Sequence, residues 1–441
     1  MRKFFITALS LAVMSNPVMA GDSVKQAVAD DYENHLSDLY IHFHQNPELS
    51  HQEFKTAARL AKELKAAGFE VTTGVGGTGV VAIMKNGDGP LVMMRADMDG
   101  LPVLEKSGLP YASKVTQLSL LTNNVVPVTH ACGHDVHITS LVGTARRMAA
   151  MRDEWSGTLM LIGQPAEELG PGAQAMMEDN LWQRFGKPDY AMAFHVSAQG
   201  VAGIINVTEG SPFAGSDTVD IIVHGIGAHG ASPHAGKDPV LLGSQIVVAL
   251  QTLVSRELSP RQPGVVTVGS FHSGTKHNII SDRAHLQLTV RNTNLKTRKI
   301  LLDGIKRIAQ NMGRVAGLPE DKLPEVTVSS DNSLPPTVND VDLVRRLRKV
   351  WQSRMGHDAV VDIAPTGMGA EDFPFFTMEP EIPSVYFIVG GTPKEDFERA
   401  SAGGPAVPSH HSPLFKVSPE PAVKVGVEAT VYALLDLMAK K

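Results

Sequence analysis

The sequence predicts an α/β unit interrupted by a smaller, inserted α+β domain. Three observations point there. Short apolar runs alternate with helical segments through both ends of the chain. A complete β-α-β-β-α-β pattern fills roughly 215–331. The length, 441 residues, exceeds what one compact core holds, so two or three domains, or one domain with a large insertion, are expected.

The elements follow in order. MRKFFITALSLAVMSNPVMA starts with Arg2 and Lys3, runs apolar from Phe4 to Met14 and ends in the small-x-small pattern Val18-Met19-Ala20. It reads as an export leader cut after Ala20. A membrane anchor is the competing reading, but the stretch is too short to span a bilayer and no comparable run follows. A periplasmic or secreted protein with no membrane anchor is expected. Leu36, Leu39, Tyr40 and Phe43 then repeat at helical spacing. After Pro47, the residues Phe54, Ala57, Ala58, Ala61 and Leu64 predict an apolar helix face, with Gly68 as its stop.

PLVMM (90–94), TLMLI (158–162), YAMAF (190–194) and SVYFIV (384–389) are each short and apolar throughout. Such runs are strands buried on both faces. HITSLVGTARRMAAM (137–151) is a helix between two of them. In the middle of the chain, strands start at Thr218 and occupy 265–271, 284–290 and 325–330, with helices over 238–254 and 296–317. This describes a two-layer domain of ferredoxin-like type, inserted into the larger unit.

Composition narrows the function classes. Hydrophobic residues make up 43%, charged residues 20%, and the formal net charge is -6. No basic stripe is visible, so no nucleic acid is expected as a partner. The single cysteine, Cys132, sits in HACGHDVH with His130, His134, Asp135 and His137 around it. One cysteine in an exported chain implies intermolecular pairing, a reactive thiol, a metal ligand or a plain buried side chain.

Polar clusters follow each apolar strand. Asp97 and Asp99 come after LVMM, Glu167 and Glu168 after LMLI, His195 after YAMAF, and His410 and His411 after the loop beyond SVYFIV. Ligands bind outside the carboxyl ends of the strands in open α/β sheets, so these clusters should meet at one edge. HACGHD joins them just before its helix. Thiolate, imidazole and carboxylate suit zinc and first-row metals, and sulfur with nitrogen argues against magnesium or calcium. The set exceeds what one ion needs, and two adjacent ions use it naturally. A structural zinc site is the alternative, but such sites are closed and cysteine-rich.

RADMDGLP, HACGHDVH, QPAEE, AFHV, GAHGASPH, MGAEDF and HHSP occur in this order over essentially the whole mature chain. Together they resemble the M20 metallopeptidases, and more narrowly their amidohydrolase branch of N-acyl amino acid, hippurate and auxin-conjugate hydrolases. The resemblance implies a zinc-peptidase-like catalytic domain over 21–214 and 332–441, with a lid and dimerisation domain over 215–331. It implies two divalent metal ions, Zn2+ or Mn2+, held by Cys132, His134, Glu168, His195 and His411, with Glu167 as general base. His411 is preferred to His410 because it directly precedes Ser412-Pro413. Asp99 matches an acid that orients a ligand, and Asp97 stands beside it. His229 matches a lid histidine that stabilises the oxyanion, sometimes from a partner subunit. Asn278 matches a lid residue near the substrate, and Arg291 a position that holds its free carboxylate.

The implied activity is hydrolysis of the amide of a small N-acyl amino acid by a homodimer joined through the lid. A dipeptidase or carboxypeptidase of the same family is the first alternative. A non-catalytic metal- or partner-binding protein is the second, and it is disfavoured because Glu167 and all five ligand positions are kept. The chain departs from the branch at Gly100, at RNTN after Val290, and in a longer stretch over 114–128 that is expected beside the pocket.

Overall fold

The computed structural model describes residues 20–170, 172–330, 333–379 and 381–440. The export leader expected over 1–20 therefore lies, except for Ala20, outside the described residues.

The larger unit is built on an eight-stranded mixed sheet. Its order is Glu70–Val75, Gly79–Asn86, Gly157–Gln164, Leu91–Asp97, Tyr190–Val201, Ser384–Thr392, Ile205–Asn206 and Val360–Val361. The four apolar runs form the centre of this sheet and run parallel to one another. Helices bury both faces. His134–Ala150 and Pro419–Leu437 pack on one side, where Leu141, Val142, Val427 and Val431 are fully or almost fully buried. Met176, Leu181 and Phe373 close the other side. The continuous apolar character of these strands follows from burial on both faces. Two antiparallel strands, Glu70–Val75 and Gly79–Asn86, cap the edge, which makes the sheet mixed.

The helix Phe54–Ala66 differs from expectation in its inner face. Ala57, Leu60, Ala61 and Leu64 point inward, whereas Phe54 is 68% exposed and Ala58 also faces solvent. Phe54 is the first helical residue, and the buried face starts only at Thr56 and Ala57.

The inserted unit is a four-stranded antiparallel sheet in the order Gly264–Ser273, Arg283–Asn292, Gly215–His224 and Glu325–Val328. With the helices Pro239–Thr252 and Leu295–Val315 it makes the ferredoxin-like arrangement. Both helices start where a side chain accepts an otherwise orphaned backbone N–H: Asp238 from Val240 and Leu241, Asn294 from Thr297. Val219, Ile221 and Val223 alternate inward with Leu286, Leu288 and Val290 against these helices. By length and composition Pro239–Glu257 is apolar enough to cross a membrane, but it packs through Leu242, Ile246 and Leu250 into this core. The opposite sheet face carries Ser216, Thr218 and Arg291 toward the larger unit.

Candidate metal centre

Two of the candidate side chains sit at element ends, whereas His195, expected just past its strand, lies within Tyr190–Val201 because that strand runs on to Val201, and His411 lies in the loop before the helix Pro419–Leu437. Asp97 closes the strand Leu91–Asp97, and His134 opens the helix His134–Ala150. Between them, Gly133 holds φ +85, and a Cβ there would stand 2.4 Å from Val196 Cγ1, so only glycine admits this turn. After Gly157–Gln164 the chain turns through Ala166, a non-glycine residue at φ +51. Glu53, remote in sequence, accepts the Ala166 N–H at 2.8 Å and the Thr78 hydroxyl at 2.5 Å. Burial and the nearby Asp99 lift this carboxyl to about 7. The turn it holds sends Glu167 and Glu168 in different directions. His411 is likewise left-handed, at φ +63, with its N–H on the Ala131 carbonyl at 2.9 Å. Left-handed non-glycine backbone costs on the order of 1–2 kcal/mol; Ala166 directly precedes the Glu167-Glu168 pair, and His411 is itself a ligand candidate.

The ligand atoms converge. Cys132 Sγ lies 3.4 Å from His195 Nε2, and His411 Nε2 lies 3.4 Å from Glu168 Oε2. His134 Nε2 is 3.9 Å from carboxylate oxygens of both Glu167 and Glu168. Two ligands on one tetrahedral ion stand about 3.3–3.6 Å apart at ordinary metal–ligand lengths. Backbone and carboxylate acceptors set the tautomers. His195 Nδ1 faces the Val196 carbonyl at 2.7 Å, and His134 Nδ1 faces Asp99 Oδ1 at 3.2 Å. Each Nδ1 therefore carries the proton, which leaves each Nε2 lone pair free. His134 Nε2 and Glu168 Oε1 are buried without a hydrogen-bond partner, which is costly unless a ligand completes them. Burial, then the carboxylates of Glu168 and Glu167, push the Cys132 thiol well up. Burial and Glu168, then Glu371 and Asp372, push Glu167 well up too. A bound cation reverses both effects, so the donor set fits divalent metal.

A cavity of about 700 Å³ opens over this cluster, lined by Glu167, Glu168, His195 and His411 from the larger unit and Ser216, Thr218 and Arg291 from the inserted one. Arg291 is half-buried, donates to the Thr289 hydroxyl at 3.2 Å and makes no ion pair among the described residues. Asp99 sits behind His134 and also accepts from Ser50 at 2.6 Å and from the Glu168 N–H at 3.0 Å. Asp97 binds His137 and Arg95. His229 and Asn278 do not line this cavity. They lie at the short pairing of Ala228–His229 with Ile279–Ile280, in which His229 stands opposite Ile279 and the Gly230 N–H donates to the Asn278 carbonyl at 2.8 Å. His229 is exposed. The stretch 114–128 forms a hairpin that docks on the loop before the helix Phe54–Ala66, Gln117 accepting the Leu49 N–H at 2.7 Å, and none of it lines the cavity.

Several residues given no role by sequence reasoning prove to belong here. Glu371 and Asp372, in the MGAEDF motif, group with Glu167. His410 approaches Cys132. His44 bridges Asp135 at 2.7 Å and Glu105 at 3.1 Å behind the helix that bears His134. Burial alone would lower His44, but Asp135 and Glu105 outweigh it and raise it to about 9. Its ion pairs are thus fully formed below the unfolded value near 6.5 and are lost as pH rises through about 9. His44→Gln should cost about 2–3 kcal/mol in urea unfolding at pH 6, and the difference should close by pH 10. A gap independent of pH would refute the charged state.

A family model described as peptidase family M20/M25/M40 matches residues 93–405. The chain is 35% identical over 347 residues to a hippurate hydrolase of Campylobacter jejuni, covering 78% of this chain and 86% of that one. It is 35% identical over 411 residues to thermostable carboxypeptidase 2 of Saccharolobus solfataricus, covering 92% and 96%. The crystal structure of Bacillus subtilis YXEP protein, described as a dinuclear metal binding peptidase from the M20 family, superposes with a TM-score of 0.75 at 27% identity, covering 93% of this chain and 99% of that one.

Proposed function

The chain belongs to peptidase family M20/M25/M40, and on that premise we propose that it is a metal-dependent amidohydrolase of N-acyl amino acids or related small conjugates. The observation that carries this reading is the convergence of Cys132, His134, Glu168, His195 and His411, with two buried atoms that lack a partner, at the floor of a cavity of small-molecule size. These five residues would hold two divalent ions, zinc or manganese. Ions held there would supply Lewis acidity toward the scissile carbonyl and would lower the pKa of a bound water molecule.

The chain's own groups do the rest. Glu167 takes the proton of the attacking water at its carboxylate and hands it to the departing nitrogen. Asp99 keeps His134 in the tautomer whose Nε2 is free to bind. Arg291 binds the substrate carboxylate through its planar fork. Arg291→Ala is therefore expected to raise KM for hippurate roughly 10-fold or more with less effect on kcat, and an unchanged KM would remove it from the site.

A homodimer joined through the inserted domain is part of this proposal. Val240, Leu241 and Val248 on the outer face of Pro239–Thr252 are 44%, 59% and 72% exposed, beside the long edge strand Gly264–Ser273. A second copy covering them would bring His229 and Asn278 to the neighbouring cavity, where His229 can donate to the oxyanion. Export after Ala20 is the expectation that goes with the leader pattern, and Gly21 as the first residue of the mature protein would support it.

The test is a substrate panel on the metal-analysed protein. Hippurate and N-acetyl amino acids should be hydrolysed, chelation should abolish turnover, and Mn2+ or Zn2+ should restore it. Exclusive turnover of free dipeptides would favour the carboxypeptidase or dipeptidase alternative. Chelation should also speed labelling of Cys132 by a thiol reagent; equal rates would remove Cys132 from the ligand set.

A further inference from the structure

We infer that His410 is a positioning residue that donates its Nδ1–H to the Cys132 sulfur and thereby orients this thiolate as a metal ligand. The inference rests on the reading of Cys132 as a ligand.

The geometry assigns the proton. His410 Nε2 accepts the Ala198 N–H at 3.1 Å. A backbone N–H can only donate, so this nitrogen is unprotonated and the proton of the neutral ring sits on Nδ1. That atom lies 3.7 Å from Cys132 Sγ, within reach of the longer hydrogen bonds sulfur makes. The ring cannot swing freely. It is tilted against Phe415 at 4.9 Å between centroids, and it meets the edge of His195 at 5.3 Å.

His137 repeats the device on the other side of His195. Its Nε2 accepts the Val196 N–H at 2.8 Å, which directs its Nδ1 to Asp97. Two alternate N–H groups of one strand, Val196 and Ala198, thus set two imidazoles that flank the ligand candidate between them. The same tautomer leaves His410 without a lone pair to offer a metal at Nδ1, so it serves the ligand and is not one. An N–H bond to a thiolate is charge-assisted, and partners behind metal ligands typically change affinity or activity 10–100-fold.

Cobalt(II)-substituted protein reads this directly through its sulfur-to-cobalt charge-transfer band. His410→Phe keeps a ring and removes the donor, whereas His410→Asn returns an N–H near the position of Nδ1. The expected result is a shift of the band to longer wavelength in His410→Phe, cobalt binding weakened on the order of 10-fold, kcat lowered more than KM is raised, and return toward the wild-type band in His410→Asn. Where His410→Phe does not fold, His410→Ala gives the same readout. A band at the wild-type position in the donor-less variants overturns the inference. So does loss of one equivalent of cobalt at saturation, which would make His410 a ligand. Absence of the band from the wild-type protein would overturn the Cys132 reading itself, whereas an unmoved band in the variants leaves that reading standing.

Discussion

Glu167→Ala should lower kcat for N-acyl amino acid hydrolysis by roughly 10²–10⁴-fold, the usual range for removing a general base, while the bound metal content stays unchanged. Glu167 faces the cavity beside the ligand cluster, and its partner Glu168 accepts no hydrogen bond at its buried Oε1. The two neighbours should therefore fail differently. Glu168→Ala is expected to lose metal, as measured by elemental analysis of the purified protein. Glu167→Ala is expected to keep metal and lose turnover. Wild-type turnover in metal-replete Glu167→Ala would rule out its role as base.

Arg95 should give the largest loss of stability. Its side chain is fully buried, and its guanidinium meets Asp97 at 2.7 Å, Glu371 at 3.1 Å, Asp372 at 3.2 Å and Gln164 at 2.6 Å. One cation therefore serves three carboxylates, and Tyr386 adds its hydroxyl to Glu371 at 2.9 Å. Burial and then Glu371 push Asp372 well up, so this cluster already carries as much negative charge as it tolerates. Arg95→Met leaves those acids unpaired, which costs about 3–5 kcal/mol. Thermal unfolding should shift down by roughly 5–10 °C, and Arg95→Lys should rescue little because an ammonium lacks the planar fork. A melting temperature within about 2 °C of wild type would show that the acids relax by taking up protons. Glu371 lines the cavity and groups with Glu167, so the same substitution should also disturb the base.

Much of this fold is legible in the sequence. The four apolar runs are central strands, and the β-α-β-β-α-β segment forms its own sheet and core. Both signals are local: burial on two faces demands continuous apolar sequence, and a two-layer domain demands alternation. Phe54 shares the spacing of the buried face yet is exposed, because periodicity alone does not say at which turn burial begins. His229 and Asn278 matched the family motif but do not line the cavity.

The residue types of the candidate metal centre and their order along the chain were determined by the sequence alone. The tertiary structure decided which atoms are left to bind. Asp99 selects the tautomer of His134 across 35 positions, Glu53 holds the Ala166 turn across 113, and Ala198 directs His410 across 212. No periodicity or motif encodes such pairings. Hydrogen-bond direction depends on distances of about 3 Å, and only the packed chain brings groups so far apart in sequence to that range.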